Sequence, residues 1–149
     1  MSDTIAILDA LREQLGCYRT LARLAEAQHD HVQQNRTEEL LDVLSRRQNV
    51  LDDLSRQEQT LSPAKKQWAT FVSTLNDERR VEAEGMMAEA RHLLEAITTS
   101  DRNDAMVLQQ RKLNLGKQIT QASAAKQVNR TIATSAYGTA TGTSLNVKR

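Results

Sequence analysis

Few residues in this sequence are able to do chemistry, and their spacing decides what they can do. Histidines occur at 29, 31 and 92. His29 and His31 sit two apart, about 200° around a helix, so one metal ion cannot take both. His92 has no histidine or cysteine three or four residues away, although Glu89 and Glu95 are near it. A histidine among carboxylates on a charged helix reads as a solvated face rather than a metal site. Cys17 is the single cysteine, with Gln14 and Leu21 at its i−3 and i+4 positions and no Cys/His/Asn signature. It reads as a half-buried structural thiol. The pairs Glu82/Glu89 and Asp101/Asp104 fall in helical sequence, but a di-metal carboxylate bundle needs facing Glu-x-x-His motifs. None is present, and neither is a Gly-x-Gly-x-x-Gly or P-loop pattern. The Tyr-Gly-Thr-Ala-Thr-Gly run at 137–142 lacks the Lys-Ser/Thr ending and a preceding strand. The expectation is a chain with no catalytic residue, no cofactor and no metal, which holds another protein instead of transforming a small molecule.

The elements that must carry such a role are helices. Aromatics make up only 3% of the 149 residues, too few rings for a compact β-rich core. Leu, Ala, Gln, Glu, Arg and Lys are plentiful and lose little entropy in a helix. Before position 137 the only glycines are Gly16, Gly85 and Gly116, and Pro63 is the only proline. Ile5, Leu8, Leu11, Leu15, Tyr18, Ala22, Ala25 and Val32 recur at steps of three and four, which predicts a first helix from Asp3 to Gln34. Leu21 and Leu24 widen its seam, as expected where a helix has more than one neighbour. Asn35, with Glu38 three residues on, reads as the cap of a second helix. That helix carries Leu40, Leu41, Leu44, Leu51 and Leu54 and is expected to end near Leu61. Ser62-Pro63 reads as the start of a short third helix holding Trp68, Phe71, Val72 and Leu75. Asn76-Asp77 marks another cap. From there Met86, Met87, Ala90, Leu93, Leu94, Ile97, Leu108, Leu115 and Ile119 continue the helical period to Ala122. The period fails over Thr98–Asp104, which is either a polar layer in one long helix or a break between two. The fold class expected is all-α: an elongated antiparallel helical bundle of three to four helices, the last one long, with a flexible C-terminal tail. The bundle is placed at 1–122 and the tail at 123–149, where apolar residues are too thin for a core.

Charge is distributed unevenly. Residues 1–36, 37–104 and 105–149 carry −1, −5 and +7, and no acidic residue follows Asp104. The basic end is the feature that points to a partner. Nucleic acid is one reading, but the basic residues are dispersed and Tyr137 is the only aromatic there to stack. A membrane surface is another, but no polybasic cluster is present. An acidic or amphipathic protein is the third. A helical ridge of Leu108, Leu115 and Ile119 beside a sparsely apolar tail with Val128, Tyr137 and Gly138 suits helix-in-groove recognition. The longest apolar runs are a few residues, so neither membrane insertion nor a secretory segment is expected. The cytoplasm is the expected location, and self-association stays open.

Some local patterns resemble the FlgN family of flagellar type III export chaperones over nearly the whole chain. They include Leu21-Ala-Arg-Leu24-Ala-Glu-Ala-Gln28, followed by Leu40-Leu-Asp-Val-Leu44 and Arg47-Gln-Asn-Val-Leu51. Asp101-Arg-Asn103 leads into Leu108, although the family commonly has a second Asn or a larger apolar residue where this chain has Asp104-Ala105. The ending is Ala136-Tyr137-Gly138, then Gly142 and Leu145-Asn-Val-Lys. The resemblance implies a cytoplasmic chaperone of hook-associated proteins at the hook–filament junction. Such chaperones embrace the client's terminal amphipathic segment with their C-terminal region and prevent its premature assembly. The resemblance also makes Tyr137 the candidate for docking at the flagellar export gate. A helical coiled-coil adaptor unrelated to secretion, and a nucleic-acid-binding helical protein, are the alternatives.

Overall fold

The computed structural model describes residues 2–137, and the side chains of residues 3–132. Four helices follow one another: α1 (Ser2–Gln33), α2 (Thr37–Lys66), α3 (Trp68–Ser73) and α4 (Asp77–Tyr137). No strand occurs among the described residues. The chain divides into two compact units, residues 1–105 and residues 106–149.

In the first unit, side-chain partners fix the directions. Cys17 meets Gln57 and Gln28 meets Arg47, so α2 runs antiparallel to α1. Arg12 meets Glu82, Arg19 meets Glu89 and Gln28 meets Asp104, so the first part of α4 runs parallel to α1. An up-down-up arrangement of three long helices requires this. One core gathers Leu8, Leu11 and Leu15 of α1, Leu61 of α2, Leu75, and Ala83, Met86 and Ala90 of α4. Trp68, Phe71 and Val72 of the α3 segment pack against it, with the Trp68 and Phe71 rings 5.6 Å apart. A second core joins Leu21, Ala25, Leu54 and Ile97. In α4 the seam keeps strict heptad order: Ala83, Ala90, Ile97 and Asp104 are seven apart, and so are Met86, Leu93 and Ser100.

The element boundaries differ from the sequence expectation in physically informative ways. Asn35 does not cap α2, whose N-cap is Arg36 with no side-chain hydrogen bond. Asn35 has φ 57° and closes α1 instead. Arg36 N–H donates to the His31 carbonyl at 2.9 Å, and Asn35 N–H donates to that of Val32 at 3.2 Å. That is the Schellman closure, with asparagine in the left-handed place usually held by glycine. α2 does not end near Leu61 but passes through Pro63 to Lys66. Leu61 and Ala64, on either side of the proline, are both buried and hold the helix through it. The break falls at Gln67 instead (φ −122°, ψ 48°). Ile5, expected in the seam, is 50% exposed, and Leu41, Leu44 and Leu51 also face outward. The core of α2 is Val43, Leu54, Leu61 and Ala64. The Asn76 cap stands as expected: its Oδ1 accepts the Arg79 N–H at 2.8 Å. Helix α4 does not break at 98–104, and it continues past Ala122 to Tyr137.

In the second unit, the described residues form the remainder of α4. None of residues 106–132 is buried, and each from Lys112 to Ile132 is exposed. The tail was expected from residue 123; residues 123–137 are helical, while 138–149 lie outside the described residues. Alanine, glutamine, lysine and arginine carry this stretch by intrinsic propensity rather than by burial.

Candidate functional site

The carboxylate pairs singled out in the sequence all find partners in the first unit. Glu82 and Glu89, seven apart on α4, meet Arg12 and Arg19, seven apart on α1. The Arg19 guanidinium donates to Glu89 at 2.7 and 2.9 Å and holds its carboxyl below the ordinary value. Both pairs are solvent-exposed, where salt screens them.

Asp101 and Asp104 do something different. Asp104 is 1% exposed and accepts from Gln28 Nε2 at 3.1 Å. His29 Nδ1 lies 2.8 Å from its other oxygen. Arg47 of α2 donates two parallel bonds of 2.7 Å to Asp101 and a third to Gln28 Oε1. Asp101 is the main reason the Arg47 guanidinium is held protonated above its ordinary value. Three helices thus meet in one satisfied polar layer, which is why the apolar period fails over 98–104 while the helix does not. His29 is a member of this layer. It also lines a shallow groove with His92 and Glu95, but no group of three candidate metal ligands converges among the described residues.

A second polar layer lies nearer the α3 end. Gln14, 3% exposed, donates to Glu58 at 2.9 Å. Lys65 bridges Gln14 Oε1 at 2.9 Å and Glu58 at 2.8 Å. Burial alone pushes the Glu58 carboxyl up, but the bonds from Lys65 and Gln14 outweigh it and leave the group below its ordinary value. Burial, reinforced by the Glu58 charge, pushes the Tyr18 phenol up. Cys17 Sγ accepts from Gln57 Nε2 at 3.5 Å, the contact of a thiol in a helix interface. The sequence reading missed Gln14, Gln28, Arg47, Glu58 and Lys65. The signal was present: Gln14 and Gln28 are fourteen apart in the α1 seam, with the buried Leu21 midway between them.

The residues expected to touch a partner lie in the second unit. Leu108, Leu115 and Ile119 are 42%, 58% and 59% exposed. At about 100° per residue they fall within roughly 40° of one another and make one stripe, extended by Ala122. Val128 does not join them. It sits about 180° around from Ile119 by the same rotation and shares the opposite face with Ile132, both exposed. Tyr137 is the last residue of α4; its side chain, and Gly138, lie outside the described residues. By the same rotation Arg111, Lys112, Lys126 and Arg130 fall within roughly 60° of the direction of Leu108 and Lys117 falls opposite, with no acidic residue after Asp104. Among the described residues, no helix is long and apolar enough to cross a membrane.

What the arrangement can do chemically is bind: an exposed apolar helix face in a positive field suits an amphipathic or acidic helix. Comparison with known proteins found no matching family model, no matching curated protein and no matching solved structure.

Proposed function

We propose that this chain is a holding protein without catalysis: a cytoplasmic export chaperone of the flagellar type III system. Its clients would be the hook-associated proteins of the hook–filament junction. The observation that carries this reading is the exposed stripe of Leu108, Leu115 and Ile119 on an acid-free helix. A client whose amphipathic terminal segment self-associates needs such a surface to cover it before export. The resemblance of the Leu/Gln-rich opening helices and of the Ala136-Tyr137-Gly138 ending to FlgN chaperones supplies the client class. It also supplies the export gate as the second partner, with Tyr137 as its contact. The helices of residues 1–105 serve as scaffold.

The test is co-purification of the full chain with a hook–filament junction protein. Leu108→Lys, Leu115→Lys and Ile119→Lys together should reduce capture at least tenfold, the loss expected when a buried apolar anchor set is removed. The melting temperature should hold, because none of the three is buried. Undiminished capture by the triple variant would show that the stripe is not the client surface. Failure of the wild-type chain to capture any such protein would remove the chaperone reading in favour of a helical adaptor.

A further inference from the structure

Helix α2 carries two heptad seams. One, from Val43 through Val50 and Leu54 to Ala64, turns into the bundle. The other stays open: Leu41, Leu44, Gln48, Leu51 and Ser55 advance in steps of three and four, with the leucines 61%, 44% and 43% exposed. Residues 106–132 carry a second open seam of the same kind. Leu108, Lys112, Leu115, Ile119 and Ala122 advance in steps of four and three. An a/d stripe sustained over three to four turns is the surface that a coiled-coil partner covers.

The charges beside the two seams are opposite. Residues 37–55 hold Glu38, Glu39, Asp42, Asp52 and Asp53 against two basic residues. Those two, Arg46 and Arg47, are already paired to Asp42 and Asp101 of the same chain. Residues 106–132 hold five basic residues and no acidic one. Glu38 and Asp52 border the α2 stripe, and Lys112 and Lys126 lie in line with the other.

We propose that the open seam of α2 is the docking surface for the open seam of residues 108–122 in a second copy of this chain. The two helices pair as an intermolecular coiled coil, apolar against apolar, with the acidic border against the basic one. Each copy supplies one surface of each kind, so the contact joins unlike surfaces of two copies. The inference does not rest on the client reading, because association is measured with no client present.

Sedimentation velocity of the full chain, from about 5 to about 500 µM in about 50 and about 500 mM salt, reads the association and its screening. The mass should rise with concentration, with an apparent Kd roughly tenfold weaker at the higher salt. A chain with Glu38→Lys and Asp52→Lys should stay monomeric. So should one with Lys112→Glu and Lys126→Glu. An equimolar mixture of the two should associate again, because each then offers what the other complements. Unchanged circular dichroism shows that both variants are folded, as expected for exposed sites. A wild-type chain that stays monomeric throughout overturns the proposal, and so does association that neither reversal weakens.

Discussion

At Asp104 a carboxylate occupies a heptad position that apolar residues hold at Ala83, Ala90 and Ile97. Burial of a charge there is tolerable only because Gln28 and His29 donate to it and Arg47 stands in the same layer. Asp104→Ala removes the shared acceptor and leaves Gln28 Nε2 unpaired in the interior. The expected loss is about 2–4 kcal/mol, read as a lower urea midpoint at unchanged m. Asp104→Asn keeps an acceptor oxygen and should lose less. Equal losses for the two would mean that the layer's bonds do not matter to stability. At Glu58 the linkage has a definite sign. Burial raises its pKa, but Lys65 and Gln14 overcome that and leave the folded value below the 4.5 of the free side chain. Its contribution is therefore complete above about pH 4.5 and is lost as pH falls through the folded value. Glu58→Gln should flatten the fall in stability over that acid window and change little near neutrality. The effect is modest, since the carboxylate is 48% exposed. An acid limb of unaltered slope would count against the Lys65 bridge.

Helix ends follow local chemistry, and each can be tested locally. Asn76 Oδ1 takes up the Arg79 N–H at the head of α4. Asn76→Ala should therefore cost about 1 kcal/mol, with Asn76→Asp or Asn76→Ser close to neutral. If Asp and Ser substitutions cost as much as Ala, capping is not what Asn76 contributes. This cap was legible in the sequence because capping depends on neighbours three residues away. So was the all-α class, which follows from composition and the three-and-four period. What could not be read locally was decided by packing. Ser62-Pro63 carries every mark of a helix start, yet the buried Leu61 and Ala64 draw α2 through it. Asn35 suits either side of a turn, and only the backbone bonds to His31 and Val32 assign it to the end of α1. Thr98–Asp104 looked like a break or a polar layer with equal justice. The answer lay in Gln28 and Arg47, some 54 to 76 residues away in sequence. Leucine content misjudged the face of α2, because Leu41, Leu44 and Leu51 form an orderly seam that is not the one the bundle buries. The residues proposed to meet a partner divide in the same way: Leu108, Leu115 and Ile119 share a face by periodicity alone, and the same arithmetic separates Val128 from them.

Taken as a whole, the molecule separates stability from exposure along its sequence. Among the described residues, every buried one lies at or before Asp104, and so do all 19 acidic residues of the sequence. Residues 112–132 have helical propensity, threonines bonded to the carbonyl four residues back at 120 and 131, and no buried side chain. A helix without tertiary burial is marginal in water and melts with little cooperativity. The buried residues of positions 1–105, by contrast, should open together. Thermal unfolding followed by far-ultraviolet circular dichroism should therefore show a shallow loss of helix at low temperature, then one steep transition. A chain ending at Lys112 retains all the buried residues among those described. It should lose the shallow phase and keep the steep midpoint within a few degrees, because stability differences near 1 kcal/mol move the midpoint of a domain this size by about 4–8 °C. Amide exchange should separate the same two classes, fast beyond Lys112 and slow around Leu11, Leu61 and Ile97. The combination matters for a binding role. A surface helix that is partly melted when free orders on contact with its partner, so affinity is reduced by the ordering cost while the reach of the surface grows. A steep midpoint that collapses on truncation would mean that the exposed helix is needed to hold the bundle, and that stability and binding cannot be changed independently.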